Sequence, residues 1–267
     1  MIKPALIKIK ARQEGVREQQ IEKDYVLSWI LKGLSGHPEL SCQLVMKGGT
    51  VLKKFYFRGY RYSEDLDFTL PDSSMEDKRL LAGFDEVFAR VLEEANLPLE
   101  LESPADQEKE TISFYIRYTG PLGGQGSSKK IKVDISRSES LAFGTQLREA
   151  LNEYPDLAPY RLNCYALEEV LVEKMRSVMQ RMQARDFFDI WYLLEVHGLA
   201  LDFCLKEFEM KCANKGLRAS DFLKKLSERM PSYHNRWRGS LGDQIRDLPD
   251  FQQVEREVMR HFRTLPF

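Results

Sequence analysis

The apolar positions along the chain follow two kinds of repeat, one typical of helices and one typical of strands. A spacing of three to four residues, the period of an amphipathic helix, runs through residues 17–34, where Ile21, Tyr25 and Leu31 recur. The same spacing occurs in residues 75–95, 166–181, 185–194, 201–212, 220–229 and 249–262. The pattern therefore predicts a helix near the N-terminus and a last third of the chain that is mainly helical.

Strand patterns are concentrated in the middle of the chain. Residues 111–119 alternate between apolar side chains, such as Ile112 and Phe114, and polar ones, and residues 130–136 alternate in the same way, as expected for half-buried strands. The glycine-rich stretch 120–128 between them predicts a hairpin turn. Further short strands are predicted in residues 44–46, 99–101 and 157–164.

The order of these elements predicts an α/β (α+β) fold, in which a small mixed β-sheet with flanking helices is followed by a helical C-terminal region. Residues 137–165 contain Pro155 and Pro159 and few strong patterns. We therefore place a domain boundary there. The predicted domains are residues 1–155, a core that includes the N-terminal helix, and residues 156–267, a mainly helical domain.

The composition limits the classes of protein to which the chain can belong. The chain has 267 residues, of which 43% are hydrophobic, enough for one large or two small domains. It contains no apolar run long enough for a membrane span and no convincing secretory signal. Its four cysteines lack zinc-binding spacing, so a reduced cytoplasmic protein is predicted. The net charge of −1 excludes a globally basic nucleic-acid binder, and any RNA contact must come from a local patch.

The stretch from Met46 to Leu70 carries the candidate chemistry. It holds a Gly48-Gly49-Thr50 turn, and then Asp65 and Asp67 in a short strand pattern. Side chains two apart in a strand point to the same face. Paired carboxylates suit the divalent ions of enzymes that displace groups at phosphorus. Glycines let backbone N–H groups approach a phosphate. Taken singly, such a pair is more often a solvated face, and Gly-Gly is usually only a turn.

The combination resembles a known superfamily. Gly48-Gly49-Thr50 followed by Ser63, Asp65 and Asp67 is similar to the motif of the DNA polymerase β-like nucleotidyltransferases. The fuller string KGGTVLKK…RYSEDLDF, and a second string in residues 168–194, EEVLVEKMRSVMQRMQARDFFDIWYLL, resemble the AbiEii family of nucleotidyltransferase toxins. The resemblance covers roughly residues 20 to 200. Thr50 stands where many members carry serine, and the spacing from the glycines to Asp65 is longer than in the minimal superfamily pattern.

The resemblance implies roles for individual residues. It implies that Asp65 and Asp67 bind Mg²⁺ (or Mn²⁺) together with the nucleoside triphosphate substrate. A third carboxylate on a later strand of the superfamily fits Asp134, as a metal ligand or as a base. Catalytic roles are further implied for Lys174 and Asp186. The residues implied to bind the nucleotide are Lys47, Gly48, Gly49, Thr50, Ser63, Lys174 and Arg185. In the family, the string that contains Arg185 and Asp186 also places Asp189 at the active site.

Several of these residues have a simpler interpretation when the family resemblance is set aside. Lys174 lies near the apolar stripe of its helix and can extend its amine to solvent. Asp186 can be a helix N-cap. The basic and aromatic segment around residues 53–62 suits phosphate contact and base stacking, or the aromatics can be core. The cluster Tyr233–Arg238 suits RNA, an antitoxin or an ordinary helix junction.

The function that the resemblance implies is transfer of a nucleoside monophosphate to an RNA acceptor, tRNA in some members, by the toxin of a toxin–antitoxin pair whose antitoxin is of the winged-helix type. One alternative is a nucleotidyltransferase acting on a protein or on a small molecule such as an antibiotic. The other is a catalytically idle nucleotide-binding module. A plain DNA-binding protein is disfavoured because no recognition-helix pattern is seen.

Overall fold

The computed structural model describes residues 1–72, 74–108, 110–124, 129–263 and 265–266, with only the backbone for 103–108. The last part of the predicted glycine-rich turn, residues 125–128, lies outside the described residues. The chain divides into two compact units. The first unit is Met1–Glu139 with Thr145–Tyr165, and the second is Ser140–Gly144 with Ala166–Phe267.

The first unit contains a mixed seven-stranded sheet with the order β3-β4-β5-β2-β1-β7-β6. Its strands are β1 (Val45–Lys47), β2 (Leu66–Thr69), β3 (Leu99–Glu108), β4 (Thr111–Tyr118), β5 (Lys130–Ser136), β6 (Gln146–Glu149) and β7 (Arg161–Cys164). The pairs β2–β5 and β1–β7 are parallel, and the other neighbours are antiparallel. The predicted α/β architecture with a mixed sheet is therefore confirmed.

In the described part of this unit, the helices beside the sheet are α1 (Pro4–Glu14), α2 (Glu18–Ser35), α3 (Leu40–Gln43), α4 (Gly48–Val51) and α5 (Asp77–Ala95). A single π-helical turn at Leu52–Tyr56 extends α4. Helices α2 and α5 approach each other closely at Gly33, where a Cβ atom would lie 2.8 Å from Val87 Cγ1 and from Val91 Cγ2. Glycine is needed there because any larger side chain would push the two helices apart.

The core of the first unit lies on one face of the central strands. Alternate residues of β2, β4 and β5 are buried, and the ring of Phe114 on β4 meets that of Phe84 on α5 edge to face, with centroids 5.0 Å apart. Burial of one face of each strand fixes the register of the sheet, because a slip by one residue would expose the apolar set. The polar residues of these strands consequently all point to the opposite face.

The second unit is helical apart from its loops. Its helices are α6 (Leu167–Gln180), α7 (Ala184–Trp191), α8 (Leu205–Asn214), α9 (Phe222–Leu241) and α10 (Phe251–Phe262). A second π-helical turn, Tyr192–Val196, extends α7. The ring of Phe187 on α7 stacks on that of Tyr233 on α9, with centroids 5.5 Å apart. Among the described residues, no helix is both long enough and apolar enough to cross a membrane.

The prediction that a helix ends at residue 229 was wrong. Helix α9 continues through Pro231 to Leu241. Its buried residues Leu226, Met230, Tyr233, Trp237 and Leu241 keep one apolar stripe on both sides of the proline. Proline in a helix interior costs about 3 kcal/mol, so we infer that burial of this stripe outweighs the lost backbone hydrogen bond.

Candidate active site

The polar face of the central strands carries a row of four side chains, which we call the polar row: Lys47, Asp67, Asp134 and Ser113. Asp67 on β2 is the register partner of Lys47 on β1 and of Asp134 on β5. Asp134 is in turn the partner of Ser113 on β4. Register partners on neighbouring strands point to the same face, about 4.8 Å apart. The sheet thus sets two carboxylates side by side, with a lysine at one end of the row.

The glycine turn lies directly against this row. Gly48 begins α4 with a φ angle of +76°, which side chains other than glycine rarely adopt. A Cβ atom at Gly48 would also collide with the carboxylate of Asp67. Both constraints require glycine, and together they place the backbone of the turn in contact with the acidic strand.

Thr50 and Ser63 are buried in this structure. The Thr50 hydroxyl donates a hydrogen bond of 2.5 Å to the carbonyl of Asp65 and thereby ties the turn to the residue before β2. Next to Thr50, a Cβ atom at Gly49 would meet the guanidinium of Arg61, which is itself buried. The contribution of Thr50 and Ser63 to phosphate binding stays a prediction.

Asp134 already has two partners. It accepts a hydrogen bond of 2.5 Å from the Ser113 hydroxyl, and its other oxygen lies 2.7 Å from Nζ of Lys132. At the β1 end of the row, Nζ of Lys47 lies 3.5 Å from a carboxylate oxygen of Glu139. Lysines therefore neutralise part of the negative charge that the carboxylates gather on this face.

The polar row offers carboxylate ligands to a divalent cation. No three His, Cys, Asp or Glu side chains form a ready metal-binding group in the part of the chain that the structure describes, so the three-carboxylate set Asp65, Asp67 and Asp134 stays a prediction. Carboxylates completed by water and phosphate oxygens are nevertheless the ligands that Mg²⁺ prefers. Asp67 and Asp134 fit such an ion.

The second unit holds a buried ionic cluster built on Lys174. Its amine lies 2.7 Å from Asp186 Oδ1 and 2.7 Å from Asp189 Oδ2, and all three residues are buried. Asp186 also accepts hydrogen bonds of 2.7 and 3.1 Å from the guanidinium of Arg181. Burial would raise the pKa of Asp186, but Lys174 and Arg181 together hold it below its usual value.

The Lys174 cluster excludes the simpler interpretations of Lys174 and Asp186 that the sequence allowed. Lys174 does not extend its amine to solvent, because the amine is held by two carboxylates. Asp186 is not the N-cap of α7, since that position belongs to Gln183. Arg185, the other residue implied by the motif, is only half-buried. Arg181 was missed because, as an isolated arginine at the end of a helix, it has no signal in the sequence.

Most of the basic and aromatic segment after the glycine turn is core, apart from residues 56–59, which are half-buried or exposed. Lys53, Lys54 and Arg61 are each no more than 3% exposed. Lys53 pairs with Glu153 at 2.9 Å, and Lys54 pairs with Asp24 at 2.6 Å. Burial would raise the pKa of Glu153, but the two lysines lower it to about 2. These lysines therefore stabilise the first unit and do not form an RNA-binding surface.

The chain is similar to known nucleotidyltransferase toxins over most of its length. The model of the family described as nucleotidyl transferase AbiEii toxin, type IV toxin–antitoxin system, matches residues 29–260. No curated protein matches. The solved structure of the nucleotidyltransferase toxin MenT4 from Mycobacterium tuberculosis is 19% identical, with a TM-score of 0.69 over 98% of this chain and 89% of that one. JHP933 from Helicobacter pylori is 18% identical, with a TM-score of 0.57 over 93% and 92% of the two chains.

Proposed function

Because this chain belongs to the AbiEii family of nucleotidyltransferase toxins, we propose that it transfers a nucleoside monophosphate from a nucleoside triphosphate to an RNA acceptor, tRNA, with the help of Mg²⁺. The observation that carries the proposal is the polar row, in which Asp67 and Asp134 lie in register beside the Gly48 turn. The family is that of the type IV toxin–antitoxin systems, which implies an antitoxin partner.

The reaction has a simple balance of bonds. A hydroxyl oxygen of the acceptor forms a bond to the α-phosphorus of the triphosphate, and the bond from that phosphorus to the pyrophosphate oxygen breaks. The hydroxyl proton must pass to a base, and pyrophosphate leaves with the bonding electron pair. A divalent ion held by Asp67 and Asp134, with Asp65, would offset the negative charge that develops on the phosphate oxygens.

The chain's own residues would orient these groups. The backbone N–H groups of Gly48 and Gly49 can donate to phosphate oxygens, and the missing Cβ atoms let the turn lie against Asp67 and Arg61. Lys47 supplies a positive charge at the end of the polar row. Asp134 is placed either to complete the ligands of the metal or to take the hydroxyl proton.

We also propose roles for the second unit, and these rest on the family resemblance. Lys174 would hold the triphosphate and neutralise its charge. The two carboxylates that pair with its amine would fix the position and the charge of that amine. Arg185 would add a further contact to the nucleotide. An antitoxin of the winged-helix type and a cytoplasmic location, where nucleoside triphosphates and tRNA are found, complete the proposal.

The test is a transfer assay with the purified chain, Mg²⁺, each labelled nucleoside triphosphate in turn and bulk tRNA. Label that enters tRNA with the wild type, and not with Asp67→Asn, supports the proposal and identifies the base. Label on a protein or on a small molecule would overturn RNA as the acceptor. Absence of both transfer and triphosphate binding would leave an idle member of the family.

Lys132 provides a second test of the metal site, without substrate. Its amine is bound to Asp134 and would compete with a cation for the same carboxylate. Partly exposed ion pairs are worth up to about 1 kcal/mol, so Lys132→Met should tighten Mn²⁺ binding by about two- to fivefold. The measurement is electron paramagnetic resonance of free Mn²⁺ titrated with protein.

Lys130→Met is the matched control, because Lys130 lies on the same strand but pairs with Glu102 instead of Asp134. Its affinity for Mn²⁺ should stay close to that of the wild type. Weaker Mn²⁺ binding in Lys132→Met than in this control would show that the lysine supports the site, contrary to the prediction.

A further inference from the structure

A cavity of about 430 Å³ opens within the second unit, beside the C-terminal half of α9 and the start of α10. The loop of residues 242–250, which joins these helices, forms one of its walls. Its volume falls in the range of small-ligand sites, about 300–1,000 Å³. Four residues of the basic and aromatic cluster Tyr233–Arg238 line the cavity: His234, Asn235, Trp237 and Arg238. Neither the polar row nor the Lys174 cluster gives these residues a role.

The floor of the cavity is apolar and well supported. Trp237 and Phe251 are buried, and their rings meet with centroids 5.3 Å apart. The indole N–H of Trp237 donates a hydrogen bond of 2.9 Å to the carbonyl of Pro249, which attaches the loop to α9. A ligand would therefore meet a surface whose shape is held by packing, so that little ordering is needed on binding.

One aromatic ring of the cavity is exposed. His234 stacks on Phe251, with ring centroids 5.0 Å apart and planes inclined by 24°. Because Phe251 covers one face of the imidazole and the residue is exposed, the other face is the one that a planar ligand can reach. Stacking on an aromatic face is how proteins hold unpaired nucleic-acid bases.

The rim of the cavity is cationic. Arg238 and Arg246 are both exposed lining residues. Arg238 forms no ion pair with any side chain among the residues that the structure describes. The acid of the lining, Asp250, is directed to its own helix, where it accepts hydrogen bonds from the backbone of Gln252 and Gln253. The exposed guanidinium of Arg238 therefore suits phosphate, and Arg246 adds positive charge to the same rim.

We propose that this cavity binds one unpaired nucleotide of the RNA acceptor, with the base stacked on His234 and the phosphate held by Arg238 and Arg246. The identification of the acceptor as RNA rests on the proposed function. The cavity combines a stacking face with cations at one rim, and this combination fits a nucleotide better than an apolar peptide. Tyr233 and Trp237, which belong to the Tyr233–Arg238 cluster, are buried, and their packing supports the cavity.

The experiment measures binding of fluorescently labelled bulk tRNA, and of a short single-stranded RNA, to the full chain by anisotropy. No triphosphate is present, so chemistry does not enter. His234→Ala should weaken binding about tenfold through loss of stacking. Arg238→Gln should also weaken it and should reduce the slope of log affinity against log salt by about one. Arg256→Gln is the control, because it removes the same positive charge as Arg238→Gln from a residue that is exposed on α10 outside the cavity.

The outcomes separate this proposal from the transfer reaction. If the wild type labels tRNA but both variants bind RNA as tightly as the Arg256→Gln control, the cavity proposal is overturned and the transfer reaction stands. If both variants bind RNA more weakly than the control while the wild type labels no RNA, the cavity proposal stands and the acceptor assignment fails. Unchanged RNA binding with weakened binding of a protein partner would reassign the cavity to that partner.

Discussion

Replacing Asp67 with asparagine should lower the rate of nucleotidyl transfer by about a thousandfold. The substitution keeps the shape of the side chain and its contact with Gly48, but it removes the charge that would hold the divalent ion. The contribution of a metal to stabilising charge on phosphate is several kcal/mol, and each 1.36 kcal/mol is a factor of about ten in rate. The measurement is initial-rate transfer of labelled nucleotide at saturating Mg²⁺.

The control for this prediction is Asp85→Asn on the exposed face of α5, which makes the same chemical change away from the polar row. It should keep the rate of the wild type. Thermal melting of all three proteins checks that Asp67→Asn remains folded. A folded Asp67→Asn variant with a rate within threefold of the Asp85→Asn control would exclude Asp67 from the reaction.

The largest effect on stability is expected at Lys54. Its amine lies 2.6 Å from Asp24 Oδ2 and 2.8 Å from Oγ of Ser28, and burial lowers the pKa of Lys54 although Asp24 opposes this. Lys54→Met would leave the buried Asp24 without its cation, and breaking such a pair costs about 3–5 kcal/mol. Hydrogen exchange of residues 18–35, followed by mass spectrometry, reports the local free energy of opening.

Two further variants make this test specific. Lys32→Met on the same helix α2 breaks a more open pair with Glu94, at 3.9 Å, and should cost less than about 1 kcal/mol. Adding Asp24→Asn to Lys54→Met removes the uncompensated charge and should restore at least part of the loss, while Tyr154 still has a hydrogen-bond partner at that position. Equal losses in Lys54→Met and Lys32→Met would contradict the prediction.

Elements with a strong apolar period were found from the sequence, and those without one were not. Helix α5 and strands β4 and β5 lie within one or two residues of their predicted bounds, because one face of each is buried. Strand β6 was missed, since its residues Gln146–Glu149 are largely exposed and show no apolar alternation. Its position is fixed by pairing with β7, a long-range contact that local patterns do not carry.

The candidate site was predictable as a motif and less so as a geometry. The spacing of Asp65 and Asp67 indicated the acidic strand, but only the register of β2 with β5 shows that Asp134 is beside Asp67. The segment of Lys53 and Lys54 was ambiguous for a physical reason. Its charges are neutralised by Asp24 and Glu153, residues distant in sequence, and composition alone does not distinguish a paired buried lysine from a solvated one.

The alignment of the polar row links correct folding to the proposed activity. Side chains alternate along a strand, so a one-residue shift of β2 would turn Asp67 toward the core and bring Leu66 or Phe68 to the polar face. Such a chain would lose its stability and its carboxylate pair in the same step. Copies of the chain with a shifted strand are therefore expected to lack the proposed transfer reaction, because the error that destabilises them also removes the carboxylates it would use.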